Sequence, residues 1–207
     1  NSGAGTLTVT SHRGSIIEQA SGVSLLTSSA DITLKAGETT KGSTSVGTLA
    51  DAINTQSSGA GTLNATAGSG GIFLDEADAG IIGTVTTTGA GNIKIQNLAD
   101  GTLSSSGVVS STSTGNIDLL SLGKLSLGAN VTSAGGNITL AADTNSNEAT
   151  GVEKFEQTAG TIGSGGGTVG ITVATGAGTG TGGAELRAIN SGAGTLTVTS
   201  HRGSIIE

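Results

Sequence analysis

Residues 115–142, GNIDLLSLGKLSLGANVTSAGGNITLAA, contain two short runs that begin alike, GNIDLL at 115–120 and GNITLAA at 136–142. Each run follows a glycine-containing turn and alternates apolar with small or polar residues, which is typical of a β-strand with one buried face. The first apolar residues of the two runs, Ile117 and Ile138, are separated by 21 positions. This spacing fits one coil of a chain that winds so that each strand stacks on a similar strand of the neighbouring coil.

Similar runs recur along the rest of the chain. They are GTLTVT at 5–10, ADITLKA at 30–36, GTLNATA at 61–67, GNIKIQ at 91–96, GITVA at 170–174 and GTLTVT again at 194–199. The first apolar residues after the most similar turns serve as coil anchors, namely Leu7, Leu63, Ile93, Ile117, Ile138 and Leu196. Successive anchors are separated by 56, 30, 24, 21 and 58 positions. We interpret the short gaps as single coils and the two long gaps as pairs or triplets of coils.

A longer repeat frames these runs. The segment 1–18, NSGAGTLTVTSHRGSIIE, recurs letter for letter at 190–207, an offset of 189 positions. We therefore expect residues 1–189 to form one full tandem repeat and residues 190–207 to begin the next, identical repeat of a longer array. On this interpretation neither end is a natural terminus.

The composition favours a parallel β-helix over other folds. Glycine, serine and threonine make 97 of the 207 residues, and Phe73 and Phe155 are the only aromatic residues. A narrow coil fits these small residues, with aliphatic side chains stacked inside and glycine or asparagine in left-handed conformations at the corners. An antiparallel sandwich normally needs larger inward side chains. Disorder is disfavoured because Ile, Leu and Val are regularly placed and charge is low.

The fold expected from these patterns is all-β, with about 7–9 coils per 189-residue period. At ~4.8 Å per coil, the axial advance per period is about 34 to 43 Å. Two stretches interrupt the rhythm. Residues 47–56 place Leu49, Ala52 and Ile53 at helical spacing, which predicts a helical side insertion near 47–56. The polar stretch near 143–157 predicts a protruding loop and a candidate contact surface. Its candidate contact residues are Asp143, Glu148, Glu153, Phe155 and Glu156.

Charge and composition argue against several partners. Fifteen acidic and eight basic residues give a net charge of −7, which disfavours nucleic acid. The apolar runs are far shorter than the ~20 residues that cross a bilayer, so no membrane insertion is expected. The chain has no cysteine, which excludes disulfide scaffolds and cysteine-based metal sites.

No cluster of residues predicts catalysis, a metal site or a cofactor. Residues 75–78, Asp-Glu-Ala-Asp, are interpreted as an outward acidic corner because regularly spaced calcium ligands are missing. His12 and its copy His201 are interpreted as solvated corner residues, since no GxSxG serine is present for them to activate. We expect no catalytic, metal-binding or cofactor-binding residues and no enzyme activity.

Three stretches resemble the repetitive shafts of large bacterial exoproteins of the filamentous haemagglutinin type. They are ADITLKA at 30–36, residues 115–143 and the stretch SVGTLADAINTQSSGAGTLNATAGSGGIFLDEADAGIIGTV at 45–85. The resemblance covers most of the chain and lies in the general sequence pattern of these stretches. It implies a right-handed parallel β-helix, that is, a right-handed β-solenoid. It also implies secretion to the bacterial cell surface and a role in adhesion, biofilm or fibre formation.

The leading hypothesis is therefore a non-catalytic extracellular filament or adhesin shaft built by tandem stacking of solenoid repeats. Its expected partners are copies of itself, end to end and side by side, and cell-surface or matrix glycans. One alternative is an ice-binding or carbohydrate-binding β-helix, because Thr6, Thr8 and Thr10 and the stretch 84–88 are rich in threonine. Ice binding requires Thr-x-Thr on one face of successive coils. A polysaccharide lyase is a further alternative, but its chemistry needs clustered acidic and basic groups in one groove.

Overall fold

The computed structural model describes residues 2–18, 25–57, 60–147, 153–175 and 182–207. Over these ranges the fold consists of strands and turns, with no helix. The strands are β1 Leu7–Ser11, β2 Leu25–Ser28, β3 Ile32–Ala36, β4 Ser45–Val46, β5 Ile53–Ser57, β6 Thr62–Ala67, β7 Gly71–Glu76, β8 Gly80–Thr87, β9 Ile93–Asn97, β10 Leu103–Ser105, β11 Val109–Ser111, β12 Ile117–Ser121, β13 Leu125–Leu127, β14 Val131–Ser133, β15 Ile138–Ala142, β16 Phe155–Gln157, β17 Thr161–Gly163, β18 Val169–Val173, β19 Ala184–Glu185, β20 Ala188–Asn190, β21 Leu196–Ser200 and β22 Ile205–Ile206.

The strands stack in parallel into two sheets. Sheet B contains β2, β4, β5, β7, β9, β12, β15, β18 and β21. Sheet A begins with β1, β3, β6 and β8 and then divides into two columns, β10-β13-β16-β19-β22 and β11-β14-β17-β20. The division occurs at β8, whose first residues pair with β10 and whose last residues pair with β11. Sheet B is divided in the same way at the start of the chain, because β4 pairs with the first residues of β7 and β5 pairs with its later residues. The coils therefore have three faces before β6, two faces from β6 to β9 and three faces from β10 onward.

One column of inward residues in sheet B counts the coils. Successive residues of this column are register partners, and they are Ile16, Val46, Ile72, Ile93, Ile117, Ile138, Val169 and Leu196. The solenoid has about eight turns. The predicted all-β parallel solenoid of seven to nine coils is confirmed.

The core is a stack of aliphatic side chains inside the coil. Strands such as β9 and β12 alternate buried with partly exposed residues, as the period-two pattern requires. Phe155 is fully buried and lies between its register partners Leu125 and Ala184. The large ring thus has the smallest core side chain as one neighbour, which keeps the narrow interior close-packed.

Asparagine at the corner before sheet B forms a ladder of hydrogen bonds between coils. The side-chain oxygen of Asn92 accepts the backbone N–H of Asn116 at 2.9 Å, and Asn116 accepts the N–H of Asn137 at the same distance. Asn137 continues the ladder by accepting the N–H of Thr168 at 2.9 Å. The expectation that asparagine takes left-handed conformations is wrong for these corners. Among the described residues, the non-glycine positions with positive φ are Asp143, Ser146 and Ala174.

The glycine beside this ladder is required by close contact between coils. A Cβ on Gly115 would lie 2.0 Å from the carbonyl oxygen of Gly91, and one on Gly136 would lie 2.3 Å from that of Gly115. Real Cβ contacts do not reach these distances, so a larger residue forces the coils apart. The corner glycines that stack in this way are Gly68, Gly91, Gly115, Gly136, Gly167 and Gly194.

The helical insertion predicted near 47–56 is wrong. Gly47 has φ +70° and starts a narrow excursion that an antiparallel bridge between Thr48 and Asp51 closes. The chain then enters β5, whose Ile53 is buried as the register partner of Leu74. Leu49 is exposed at the tip of the excursion. Its spacing to Ile53 resembled a helix face, but pairing with the neighbouring coil fixes the backbone as a strand.

The polar stretch near 143–157 is only partly a loop. Residues 143–147 form a turn after β15, whereas Phe155 and Glu156 lie on β16. Glu148 lies outside the described residues. The sequence misses this strand because β16 is very short and follows a run of polar side chains.

Candidate functional site

The six coil anchors are divided between the two sheets. Leu7 and Leu63 lie in sheet A, whereas the other four anchors lie in sheet B, namely Ile93, Ile117, Ile138 and Leu196. The gaps of 24 and 21 positions each correspond to direct register partners, and the gap of 58 spans two coils through Val169. The gap of 56 positions also spans two coils, through Ile32. The gap of 30 positions is not a single coil, because it joins an anchor of sheet A to an anchor of sheet B.

A row of paired charges crosses the outer face of sheet A. Lys124 on the turn before β13 forms an ion pair with Glu156 on β16, and Lys154 forms one with Glu185 on β19. Lys154 Nζ also lies 3.8 Å from Glu156 Oε1. The hydrogen bond from Lys124 lowers the pKa of Glu156, and the hydrogen bond to Glu185 raises the pKa of Lys154. Glu156 is therefore part of an inter-coil charge network and is not a free loop residue.

The turn after β15 brings a buried acidic residue to an arginine of the repeated segment. Asp143 Oδ2 lies 3.1 Å from Arg202 Nη1, and both side chains are 1% exposed. Arg202 also donates a hydrogen bond to the carbonyl oxygen of Ser146. A buried pair of this kind depends on both partners, because the removal of one leaves the other charge in a dry environment.

Two further carboxyl groups lie around Asp143. Asp100 accepts a hydrogen bond of 2.9 Å from the amide of Asn145 and one of 2.5 Å from the amide of Asn147. These bonds lower the pKa of Asp100. Burial, together with the charges of Asp100 and Asp143, raises the pKa of Glu153 to about 7. Arg202 is the cation that pairs with this acidic group within the described residues. We call Asp100, Asp143, Glu153 and Arg202 the corner cluster.

The acidic corner at 75–78 is not wholly outward. Glu76 is 0% exposed, and it accepts hydrogen bonds of 2.8 Å from the Thr55 hydroxyl and from the backbone N–H of Ser57. Burial raises its pKa to about 7. Sequence reasoning missed this buried acid because it treated a run of acidic residues as a solvated corner. The inward position follows from the alternation of β7, in which Ile72 and Leu74 also point inward.

The outer face of sheet A carries one column of hydroxyl side chains that continues over four successive coils. The column consists of the register partners Thr66, Thr86, Ser110 and Thr132, and it is bounded by Lys35 and Gly163. Two residues earlier in each coil the side chains are Asn64, Thr84, Val108 and Asn130. Thr-x-Thr therefore occurs in one of these four coils, and the column does not form the repeated flat array that the ice-binding hypothesis requires.

Both ends of the described solenoid present unpaired strand edges. At one end β1 and β2 are the edge strands of sheets A and B, and at the other end β20 and β22 end the two columns of sheet A and β21 ends sheet B. Apolar side chains are exposed there, including Leu196 at 44% and Ile205 at 48%. Open parallel edges of this kind are templates for further strands.

Comparisons with protein-family models, curated proteins and solved structures give no match for this chain. In the part of the chain that the structure describes, no helix has the length and apolar character needed to cross a bilayer. The described residues also contain no group of three or more His, Cys, Asp or Glu side chains placed to hold a metal ion.

Proposed function

We propose that this chain is a segment of a non-catalytic structural shaft, an extracellular filament or adhesin stalk of the kind that filamentous haemagglutinin-type exoproteins have at the bacterial surface. The observation that carries the proposal is the second copy of the 18-residue segment, which continues the solenoid by stacking β21 on β18 and β22 on β19. The first and second copies lie at opposite ends of the described solenoid. Each end offers parallel backbone edges and aliphatic side chains that another coil would cover. The function of such a shaft is mechanical continuity, supplied by inter-coil hydrogen bonds and by the stacked core.

Its partners are then copies of the same repeat, either along one polypeptide or as separate chains, with glycans of the cell surface or matrix as the adhesive target. The charges on the flank of sheet A are paired with each other, which supports a structural role for this face. A polysaccharide lyase would instead need unpaired acidic and basic groups together in one groove.

End-to-end assembly of the 207-residue chain tests the proposal. We expect rods longer than one chain in electron micrographs and a molecular mass that rises with protein concentration in light scattering. The substitution Ile205→Lys places a charge on the open edge and is expected to reduce the association constant at least ~10-fold.

Val108→Lys is the matched control for this experiment. Val108 is 40% exposed but lies on the flank of the solenoid between β10 and β11, so its substitution is expected to leave assembly unchanged. A chain that stays monomeric at all concentrations would contradict end-to-end assembly. Equal loss of assembly in both variants would contradict the role of the coil end.

A further inference from the structure

The two identical 18-residue segments occupy different faces of the solenoid. In the first copy, Leu7 pairs with Ile32 in sheet A, and Ile16 pairs with Val46 in sheet B. In the second copy, the equivalent of Leu7 is Leu196, which extends sheet B by pairing with Val169. The equivalent of Ile16 is Ile205, which extends sheet A by pairing with Ala184. The second copy is therefore rotated about the solenoid axis relative to the first.

The size of the rotation follows from the register. Ile16 and Leu196 belong to the same column of sheet B, and seven coils and 180 positions separate them. A coil thus has a mean length of about 26 residues, and the 189-residue period exceeds seven coils by nine residues. Nine residues are about a third of a coil. Leu7 and Ile16 are also nine positions apart and lie on successive faces, so the excess corresponds to one face.

The rotation places the same arginine in two different environments. Arg13, in the first copy, is exposed. Arg202, its equivalent in the second copy, is buried against Asp143 and donates to the carbonyl oxygen of Ser146. Asp143 follows β15, and Arg202 follows β21 two coils further along, with β18 between them. The arginine therefore spans an intervening coil and ties the start of the second repeat to the body of the first.

The corner cluster is chemically suited to receive this arginine. Three carboxyl groups meet there, and their mutual repulsion contributes to the raised pKa of Glu153. A guanidinium offsets that repulsion, and it can bind a carboxylate and a carbonyl oxygen at the same time. The backbone N–H of His201, the neighbour of Arg202, donates a hydrogen bond of 3.1 Å to the carbonyl oxygen of Val173.

We propose that residues 190–207 show the joint by which each repeat receives the next one, rotated by one face, and that Arg202 locks this joint through Asp143. The inference rests on the tandem stacking proposed above, and it names the partner of the corner cluster as the Ser-His-Arg-Gly corner of the following repeat. In an array, the residue equivalent to Arg13 of each repeat binds the residue equivalent to Asp143 of the repeat before it.

The duplicated sequence provides a matched pair of variants, Arg202→Ala and Arg13→Ala, which remove the same side chain from identical local sequence. We expect amide hydrogen exchange in β21 and β22 to accelerate at least ~10-fold in Arg202→Ala, because the last coils open locally when a buried pair is broken. Arg13→Ala is expected to leave exchange unchanged throughout the chain. Equal effects of the two substitutions, or no effect of Arg202→Ala, would overturn the proposed lock.

A double variant separates the lock from a general loss of folding. Asp143→Ala alone should accelerate hydrogen exchange of the same amides. If the two side chains act as a pair, the acceleration in the double variant should be clearly smaller than the product of the accelerations in the two single variants. An acceleration equal to that product would show that the two side chains act independently, and it would overturn the proposed pairing of Asp143 with Arg202.

A cross-link tests the rotation itself. The chain has no cysteine, and Gly170 and Thr197 are outward register partners in sheet B. A Cβ at Gly170 has only the Ile138 carbonyl oxygen nearby, at 4.0 Å. The pair Gly170→Cys with Thr197→Cys should form a disulfide in high yield, as should the control pair Thr8→Cys with Thr33→Cys in sheet A.

Failure of the first cysteine pair beside success of the control would overturn the rotated joint. These measurements use the single 207-residue chain and do not depend on filaments. Loss of end-to-end assembly therefore remains distinguishable from loss of the joint.

Discussion

At the residue scale, the buried acid Glu76 contributes to the way stability depends on pH. Its pKa rises from an ordinary value of 4.5 to about 7 in the folded chain, because burial disfavours the carboxylate. The folded state therefore binds the proton more tightly than the unfolded state. The stabilisation is complete below pH 4.5 and is lost as the pH rises through about 7.

We expect Glu76→Gln to be more stable than the natural chain at pH 8, by roughly 3 kcal/mol at most, and nearly equal at pH 5. The glutamine amide can donate to Asp78, the neighbour with which the protonated carboxyl shares a hydrogen bond. Urea unfolding at the two pH values measures the difference. Glu153→Gln is the comparison variant, because the pKa of Glu153 is also raised to about 7 but its side chain is more exposed than that of Glu76. A glutamine variant that is equally destabilised at both pH values would contradict this account.

The inward position of Glu76 was not predicted from the sequence, although the strand pattern contains the signal for it. Alternation in residues 71–76 places positions 72, 74 and 76 on one face, but the acidic run suggested solvent. The buried pairing of Asp143 with Arg202 could not be predicted from the sequence for a different reason. The two residues are far apart in the sequence, and only the number of residues per coil decides which of them meet.

At the element scale, the corner before sheet B sets the distance between coils. Glycine at this corner follows from contact with the backbone of the neighbouring coil, and the asparagine beside it accepts an N–H from the next coil. The sequence predicts the strands after these corners because Ile117 and Ile138 begin similar runs. It does not predict the excursion at 47–52, whose apolar spacing imitates a helix.

We expect Gly115→Ala to destabilise the chain by about 3 kcal/mol or more, because its Cβ would lie 2.0 Å from a carbonyl oxygen of the neighbouring coil. Gly163→Ala is the matched control, since a Cβ there meets nothing closer than 3.8 Å and its φ is not in the left-handed range. The control should change stability by less than about 1 kcal/mol. Chemical denaturation of both variants measures the contrast, and equal losses would show that close approach of the coils does not explain the corner glycine.

At the scale of the whole molecule, the rotated joint has a consequence for any array of repeats. Each repeat advances about 7.3 coils, or about 35 Å at ~4.8 Å per coil, and turns by about a third of a revolution. The corner cluster and the row of paired charges would then appear on a different side of the shaft in each successive repeat. Three repeats would restore the starting orientation after about 105 Å.

We therefore expect a polypeptide of four or more 189-residue units to form a straight rod with two axial periods, about 35 Å and about 105 Å. Helical reconstruction from electron micrographs, or fibre diffraction, measures both periods. An array without rotation would show the shorter period alone and would display the corner cluster along one line. Because a rotated array has no continuous stripe of one surface type, it should also remain as single rods at low salt, where its net negative charge is least screened.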